Sequence, residues 1–432
     1  MKSVSALAML LVVLAAAPSG QAPLPRLEAC GRFFCRADTG AVADYREVSA
    51  FALYARWLAG ERAHVTGYAR AMRAEGVTAL RVILTLGGPF WDARGLHVGP
   101  DLGERFYGEL PGFVDAIGRE GLYVRLTLIG ALEPLGGSVP DRGGHYTRAV
   151  DGRARAMAAR VVGLTSSRAH VLYEVANEWD HIGMAGADDE VVGLGRLIAA
   201  AAPGSLLNLS NTSGAIAGET TWARPPADFV DVHLPRRRGQ EGFAWLVDVA
   251  DLPVVSRPRM PVLSGEPINF GTSGVGGADD HEPSPAVACA YGAVSRVAQF
   301  YTTFHYDGGL WADLPDETTM TALRAWQRCL EAIPFALVGP GTERCDARDA
   351  CTPLSADARA AAADQPLATR KDRPLHLIGR TGPGGYVGVS LREPAGWDGR
   401  AHLAPGMEVE ELARVEYAGW GTVIRLITQM PR

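Results

Sequence analysis

The stretch Val171-Leu-Tyr-Glu-Val-Ala-Asn-Glu-Trp179 opens almost wholly apolar and then turns polar within two residues. A run this short and this apolar reads as a strand buried on both faces, the kind found in parallel sheets covered by helices. Its Asn177-Glu178 pair then falls at the carboxyl end of that strand. Pro261-Val-Leu-Ser-Gly-Glu-Pro-Ile-Asn269 repeats the arrangement, a brief apolar run closed by a carboxylate, Glu266.

Working outward from these two, β-rich runs alternate with amphipathic stretches between residues 49 and 311. The runs are 49–53, 78–86, 122–129, 170–176, 205–209, 229–233, 261–264 and 300–305, and helical spacing marks 64–75, 105–120, 153–164, 190–201, 286–298 and 318–333. Eight strands with crossover helices predict an α/β fold, a (β/α)8 TIM barrel over residues 23–338. A polar Asp38-Thr39-Gly40 turn predicts a β-hairpin over 33–49 that closes the barrel floor. Residues 339–372 are rich in Gly, Pro, Ala and charge and read as a linker; runs at 375–379, 385–392, 408–416 and 421–428 predict a small C-terminal β-sandwich domain over 373–432. No solenoid- or propeller-like repeat is present.

The chain has 432 residues, 47% hydrophobic and 21% charged, which is the composition of a globular protein with a sizeable core. A net charge of −6 with interspersed signs provides no basic surface for a polyphosphate backbone, so nucleic acid is not an expected partner. Lys2 followed by an apolar run and small residues reads as a signal peptide over 1–22, and hence a secreted or periplasmic protein with no membrane span in the mature chain; an N-terminal anchor is the alternative. The six cysteines suit disulfides in such a compartment: spacing favours Cys30 with Cys35 and Cys345 with Cys351, leaving Cys289 and Cys329, although sequence alone does not fix the connectivity. They lack the CxxC spacing of a zinc site, and no metal or organic cofactor is expected.

In a barrel of this kind the reactive groups stand at the carboxyl ends of strands. Glu178 on strand four and Glu266 on strand seven would face each other across the mouth. Two carboxyl groups about 5 to 5.5 Å apart are what retention at an anomeric carbon requires, one protonating the leaving oxygen and the other attacking. A lone strand-end glutamate more often caps a helix or forms an ion pair; two, in these strands, favour chemistry. His233 closes strand six, and His305 with Asp307 closes strand eight. Trp91, Trp179, Trp222 and Trp311 lie in the loops after strands and offer flat faces to sugar rings, Trp311 foremost, though any one of them would serve equally as a packed anchor. Asp279-Asp280-His281-Glu282 has no metal-ligand spacing and reads as a solvated loop, and neither GxSxG nor a Walker loop occurs. The sequons at Asn208 and Asn211 matter only in a glycosylating host.

At Asn177-Glu178 and Glu266 the chain resembles glycoside hydrolase clan A, in particular the cellulase-like enzymes of family 5, over residues 33–333. That resemblance implies Glu178 as acid/base, Asn177 as a ligand of the sugar 2-hydroxyl, and Glu266 as nucleophile. Glu174 and Arg81 match a barrel-interior glutamate and a strand-two arginine of the clan; Arg81 would keep the nucleophile ionised, or alternatively fill the interior as a structural ion pair with Glu174. His233 matches a histidine near nucleophile or substrate. Two positions depart from the pattern: Trp179 stands where proline is usual, and strand six lacks His-x-Tyr. The implied protein is a secreted retaining β-glycoside hydrolase with a carbohydrate substrate. A transglycosylase on the same machinery, or an inactive carbohydrate-binding or surface-attachment protein, are the alternatives.

Overall fold

A computed structural model describes residues 23–137, 146–179, 187–210, 225–232, 260–266, 285–338, 344–346, 355–356, 375–382, 385–394, 403–417 and 420–429. The expected signal peptide, His233, Trp222, the Asn211 sequon, the 279–282 loop, Cys351 and most of 339–372 lie outside the described residues.

Eight parallel strands form one sheet: β3 (Glu47–Ser49), β4 (Ala79–Ile83), β5 (Tyr123–Ile129), β6 (Val171–Ala176), β7 (Leu207–Ser210), β8 (Val230–Asp231), β9 (Val262–Ser264) and β10 (Tyr301–Phe304). Their order, β7-β6-β5-β4-β3-β10-β9-β8, is that of a barrel in which each strand neighbours the next and β3 pairs with β10. The remaining seam is bridged where Asp228 and Leu207 exchange hydrogen bonds and Asn208 donates to the Phe229 carbonyl at 3.2 Å. β4, β5 and β6 are buried at every position, as strands must be when side chains on one face fill the barrel and those on the other meet the helices.

Among the described residues the outer helices are α1 (Leu53–Leu58), α2 (Arg62–Ala74), α4 (Glu104–Arg119), α5 (Arg148–Thr165), α6 (Asp188–Ala201), α7 (Pro285–Val297) and α9 (Glu317–Ala332), with short α3 (Pro89–Asp92), α8 (Asp307–Trp311) and α10 (Phe335–Val338). The sequence placed the start of α5 five residues late. Thr147 caps it, its hydroxyl accepting from the Val150 amide, so the helix begins at Arg148. The first barrel strand also differs from the expected 49–53: it is Glu47–Ser49, and Leu53 already opens α1. The apolar run after Ser49 had looked like the strand, whereas the charged Glu47 is in fact buried and paired inside the barrel.

The N-terminal hairpin is β1 (Leu27–Cys30) with β2 (Phe33–Arg36), earlier than expected, tied by the Cys30–Cys35 disulfide. The Asp38-Thr39-Gly40 turn exists, but pairs only Cys35 with Val42 before the chain enters β3. Phe34 packs on Tyr45, Phe229 and Tyr301, which lie at or just before the amino ends of β3, β8 and β10, so the hairpin seals the floor.

Past the barrel, β12 (Leu375–Gly382), β13 (Gly385–Pro394), β14 (Met407–Tyr417) and β15 (Trp420–Gln429) form an antiparallel sheet with β11 (Arg344–Asp346), a strand in what reads as linker. The layer beneath this sheet is helical: Val387, Val389, Ala413 and Ile424 join the barrel's core cluster, and the Thr422 hydroxyl donates to the Ala286 carbonyl of α7 at 2.9 Å. The Cys289–Cys329 disulfide joins α7 to α9 under the same flank. No helix among the described residues is long and apolar enough to cross a membrane.

Candidate active site

Register decides which side chains meet inside the barrel. Arg81 on β4 lies beside Arg125 on β5, and Thr127 beside Glu174 on β6, so guanidinium and carboxylate groups share the interior. Arg81, wholly buried, donates from Nε to Glu174 Oε2 at 3.0 Å, from Nη1 to Glu266 Oε1 at 2.9 Å and from Nη2 to Asn177 Oδ1 at 2.6 Å. One side chain therefore links three of the residues singled out in the sequence. Because Asn177 uses its carbonyl oxygen on Arg81, its amide end is the one left for a ligand.

Below that layer lies a second, which the sequence reading missed. Arg125 grips Glu47 with two hydrogen bonds of 2.9 and 2.6 Å, reaches Glu174 at 3.4 Å and pairs with Asp231. Tyr45 and Thr303 each donate to Glu47 at 2.6 Å, and Thr127 donates to Glu174. Burial pulls both arginines toward neutrality, but Glu174 with the other carboxylates outweighs it, and both are held above the usual arginine range. The signal was present in Tyr123-Val-Arg-Leu-Thr-Leu-Ile129: a charge inside an otherwise apolar buried strand has to find a partner.

Glu266 follows β9 and is 6% exposed. Gly265, just before it, abuts the Asp231 carboxylate so closely that a Cβ there would stand 2.3 Å from Oδ2. Gly265→Ala is therefore expected to push Glu266 out of line, lowering stability by about 1–3 kcal/mol. Turnover should drop with it. Unchanged melting and turnover in that variant would show that the contact does not position the carboxylate.

Glu178 follows β6 at φ 39°, a left-handed conformation uncommon for a residue with a side chain. Holding it costs about 1–3 kcal/mol, which surrounding structure must offset. The preceding Asn177 amide is anchored on the Ile129 carbonyl at 2.8 Å, so the bend is fixed where the strand ends.

His305 is 1% exposed, its Nδ1 2.8 Å from the Ser49 hydroxyl and its ring 5.6 Å from that of Phe51. Phe51 in turn lies 5.1 Å beneath the Arg81 guanidinium, so His305 meets the arginine layer through one ring. Trp311, foreseen as an open platform, is buried to 5% exposure: Arg94 covers its face at 3.7 Å, and Phe90 and Trp91 crowd it at 4.7 and 5.1 Å. Trp179 is also packed into the core. Among the described residues no group of three or more His, Cys, Asp or Glu side chains is arranged to hold a metal ion.

No protein-family model matches the chain, and no curated protein matches it. Solved structures do. A glycoside hydrolase family 5 structure from Bacteroides vulgatus superposes with a TM-score of 0.63 at 12% identity, covering 94% of this chain and 96% of its own. A second structure, named a glycoside hydrolase, gives 0.60 at 12% identity over 94% and 97%. At such identity the likeness is one of fold. Its extent takes in the barrel together with residues of the C-terminal sheet.

Proposed function

We propose that this chain is a retaining β-glycoside hydrolase, exported from the cell, that cleaves β-linked oligo- or polysaccharide by double displacement. The observation that carries this reading is the Arg81 fork, which binds Glu266 and Asn177 together at the barrel mouth, with Glu178 on the strained bend next to Asn177. The buried Arg81 guanidinium donates to Glu266 at 2.9 Å and so fixes the orientation of the carboxylate that would attack. Glu266 would attack the anomeric carbon while Glu178 protonates the departing glycosidic oxygen. Glu178, then anionic, would take a proton from water as that water displaces Glu266. The Asn177 amide is placed to donate to the sugar 2-hydroxyl. The disulfides Cys30–Cys35 and Cys289–Cys329 support an oxidising compartment.

The test is Glu178→Gln assayed on aryl β-glycosides and β-linked polysaccharides. Turnover should fall by about 10²–10⁴-fold, and azide, which needs no general base, should restore part of it on substrates with good leaving groups. NMR of the first product should show the substrate's β-configuration. Wild-type turnover in the variant, or an inverted product, would reject the assignment.

A further inference from the structure

The large hydrophobic side chains that stand exposed among the described residues are Phe90, Leu102 and Leu314, at 41%, 37% and 50%. All three fall in the connections leaving β4 and β10. Both connections emerge at the carboxyl ends of their strands, on the side of the barrel where Glu178 and Glu266 stand. This side of the rim therefore carries exposed apolar side chains among charged ones.

Its construction is stiff. Leu86 and Val98 exchange backbone hydrogen bonds of 2.9 Å in both directions, closing the β4 connection into a narrow loop that carries α3. Opposite it, Trp311 is pinned through the main chain: Phe51 donates to the Gly309 carbonyl at 2.9 Å, and Arg56 Nε to the Trp311 carbonyl at 2.7 Å. Arg94, exposed to solvent, lies flat over the Trp311 ring at 3.7 Å, and the Phe90 ring stands 4.7 Å from the same ring. The nearby acids are engaged elsewhere. His97 holds Asp92 at 3.1 Å and Asp101 at 2.6 Å, and Arg56 holds Asp313. Arg94 has no ion pair among the described residues, so a solvent-facing guanidinium and an exposed aromatic ring both stand against the Trp311 ring.

We propose that Phe90 and Arg94 form a sugar subsite for an anionic residue of the substrate chain, with the pyranose face on Phe90 and the sugar's carboxylate or sulfate on Arg94. An aromatic ring offers a flat apolar face to axial C–H groups of a pyranose, and a guanidinium already oriented by its ring contact loses little freedom on gripping a planar anion. The substrate class is then an acidic β-linked polysaccharide. Cleavage of such a chain rests on the glycosidase reading above; binding to it does not.

The experiment is affinity electrophoresis of the Glu178→Gln protein, which leaves the matrix uncut, through gels holding glucuronoxylan, hyaluronan or a sulfated galactan. Each is run beside its neutral counterpart, carboxyl-reduced or desulfated. At least one native polymer should bind roughly tenfold more tightly than its neutral form, the size of a charge-assisted contact at a surface, and added salt should shrink the gap. Which pair responds separates carboxylate from sulfate. Adding Arg94→Gln should abolish the difference, Arg94→Lys should restore part of it, and Phe90→Ala should weaken native and neutral forms alike. No charge-dependent binding in any pair, or a preference that survives Arg94→Gln in a normally melting protein, would overturn the proposal. Hydrolysis without charge preference sinks the subsite alone, whereas Arg94-dependent binding with no hydrolysis by the wild type sinks the glycosidase reading alone.

Discussion

Glu266→Ala is expected to lower turnover on aryl β-glycosides by at least about 10⁴-fold, the scale on which removing a covalent nucleophile acts. The fold should survive. Glu266 is one of four carboxylates, with Glu47, Glu174 and Asp231, that share two guanidinium groups inside the barrel. Deleting it removes a negative charge from a cluster that already has an excess of them, and leaves Arg81 still bonded to Glu174 and Asn177. The melting temperature should therefore hold or rise while activity collapses, a combination that a merely structural glutamate would not give. Azide added to this variant enters the vacated space from the nucleophile's side, so NMR should find an α-glycosyl azide. Turnover near the wild-type rate would remove Glu266 from the mechanism.

Arg125→Met carries the largest expected effect on stability. Arg125 is fully buried and contacts Glu47, Glu174 and Asp231; without it these charges face one another in a space closed to water. Breaking a buried ionic cluster by deleting one partner costs about 3–5 kcal/mol. For a domain of this size that corresponds to a fall in melting temperature on the order of 10 °C. Arg125→Lys should recover little, because an ammonium group cannot reproduce the two-pronged grip on Glu47. Adding Glu47→Gln to Arg125→Met should restore part of the loss. Urea unfolding of the variants measures these differences, and a loss below about 1 kcal/mol for Arg125→Met would show that the cluster is not charged in the way its hydrogen bonds imply.

How much of this was legible in the chain depends on whether the governing interaction is local. The strands that end at Ala176 and Ser264 could be read because a buried run followed by a polar residue is a local pattern, and Glu178 and Glu266 came with them. Arg81 was found through the resemblance, as the strand-two arginine of the clan, and it lies in the buried run of β4. The Arg125 layer was not, since its partners lie 78 and 106 residues away and meet only when the barrel closes. The same hidden pairing misled the reading of the first strand, where Glu47 fell within the hairpin expected over 33–49 rather than in the barrel. Trp311 was recognised as a mouth residue, but its covering by Arg94 and Phe90 depends on two loops more than 200 positions apart, which no local pattern encodes.

The seating of the C-terminal sheet has a practical consequence. Its inward face, Val387, Val389, Ala413 and Ile424, joins the barrel's core cluster through α7 and α9, the helices before and after β10. It is therefore less a detachable accessory than a plank of the barrel's outer wall. A barrel cut from this chain without the sheet would need new polar residues on α7 and α9 before it stayed in solution.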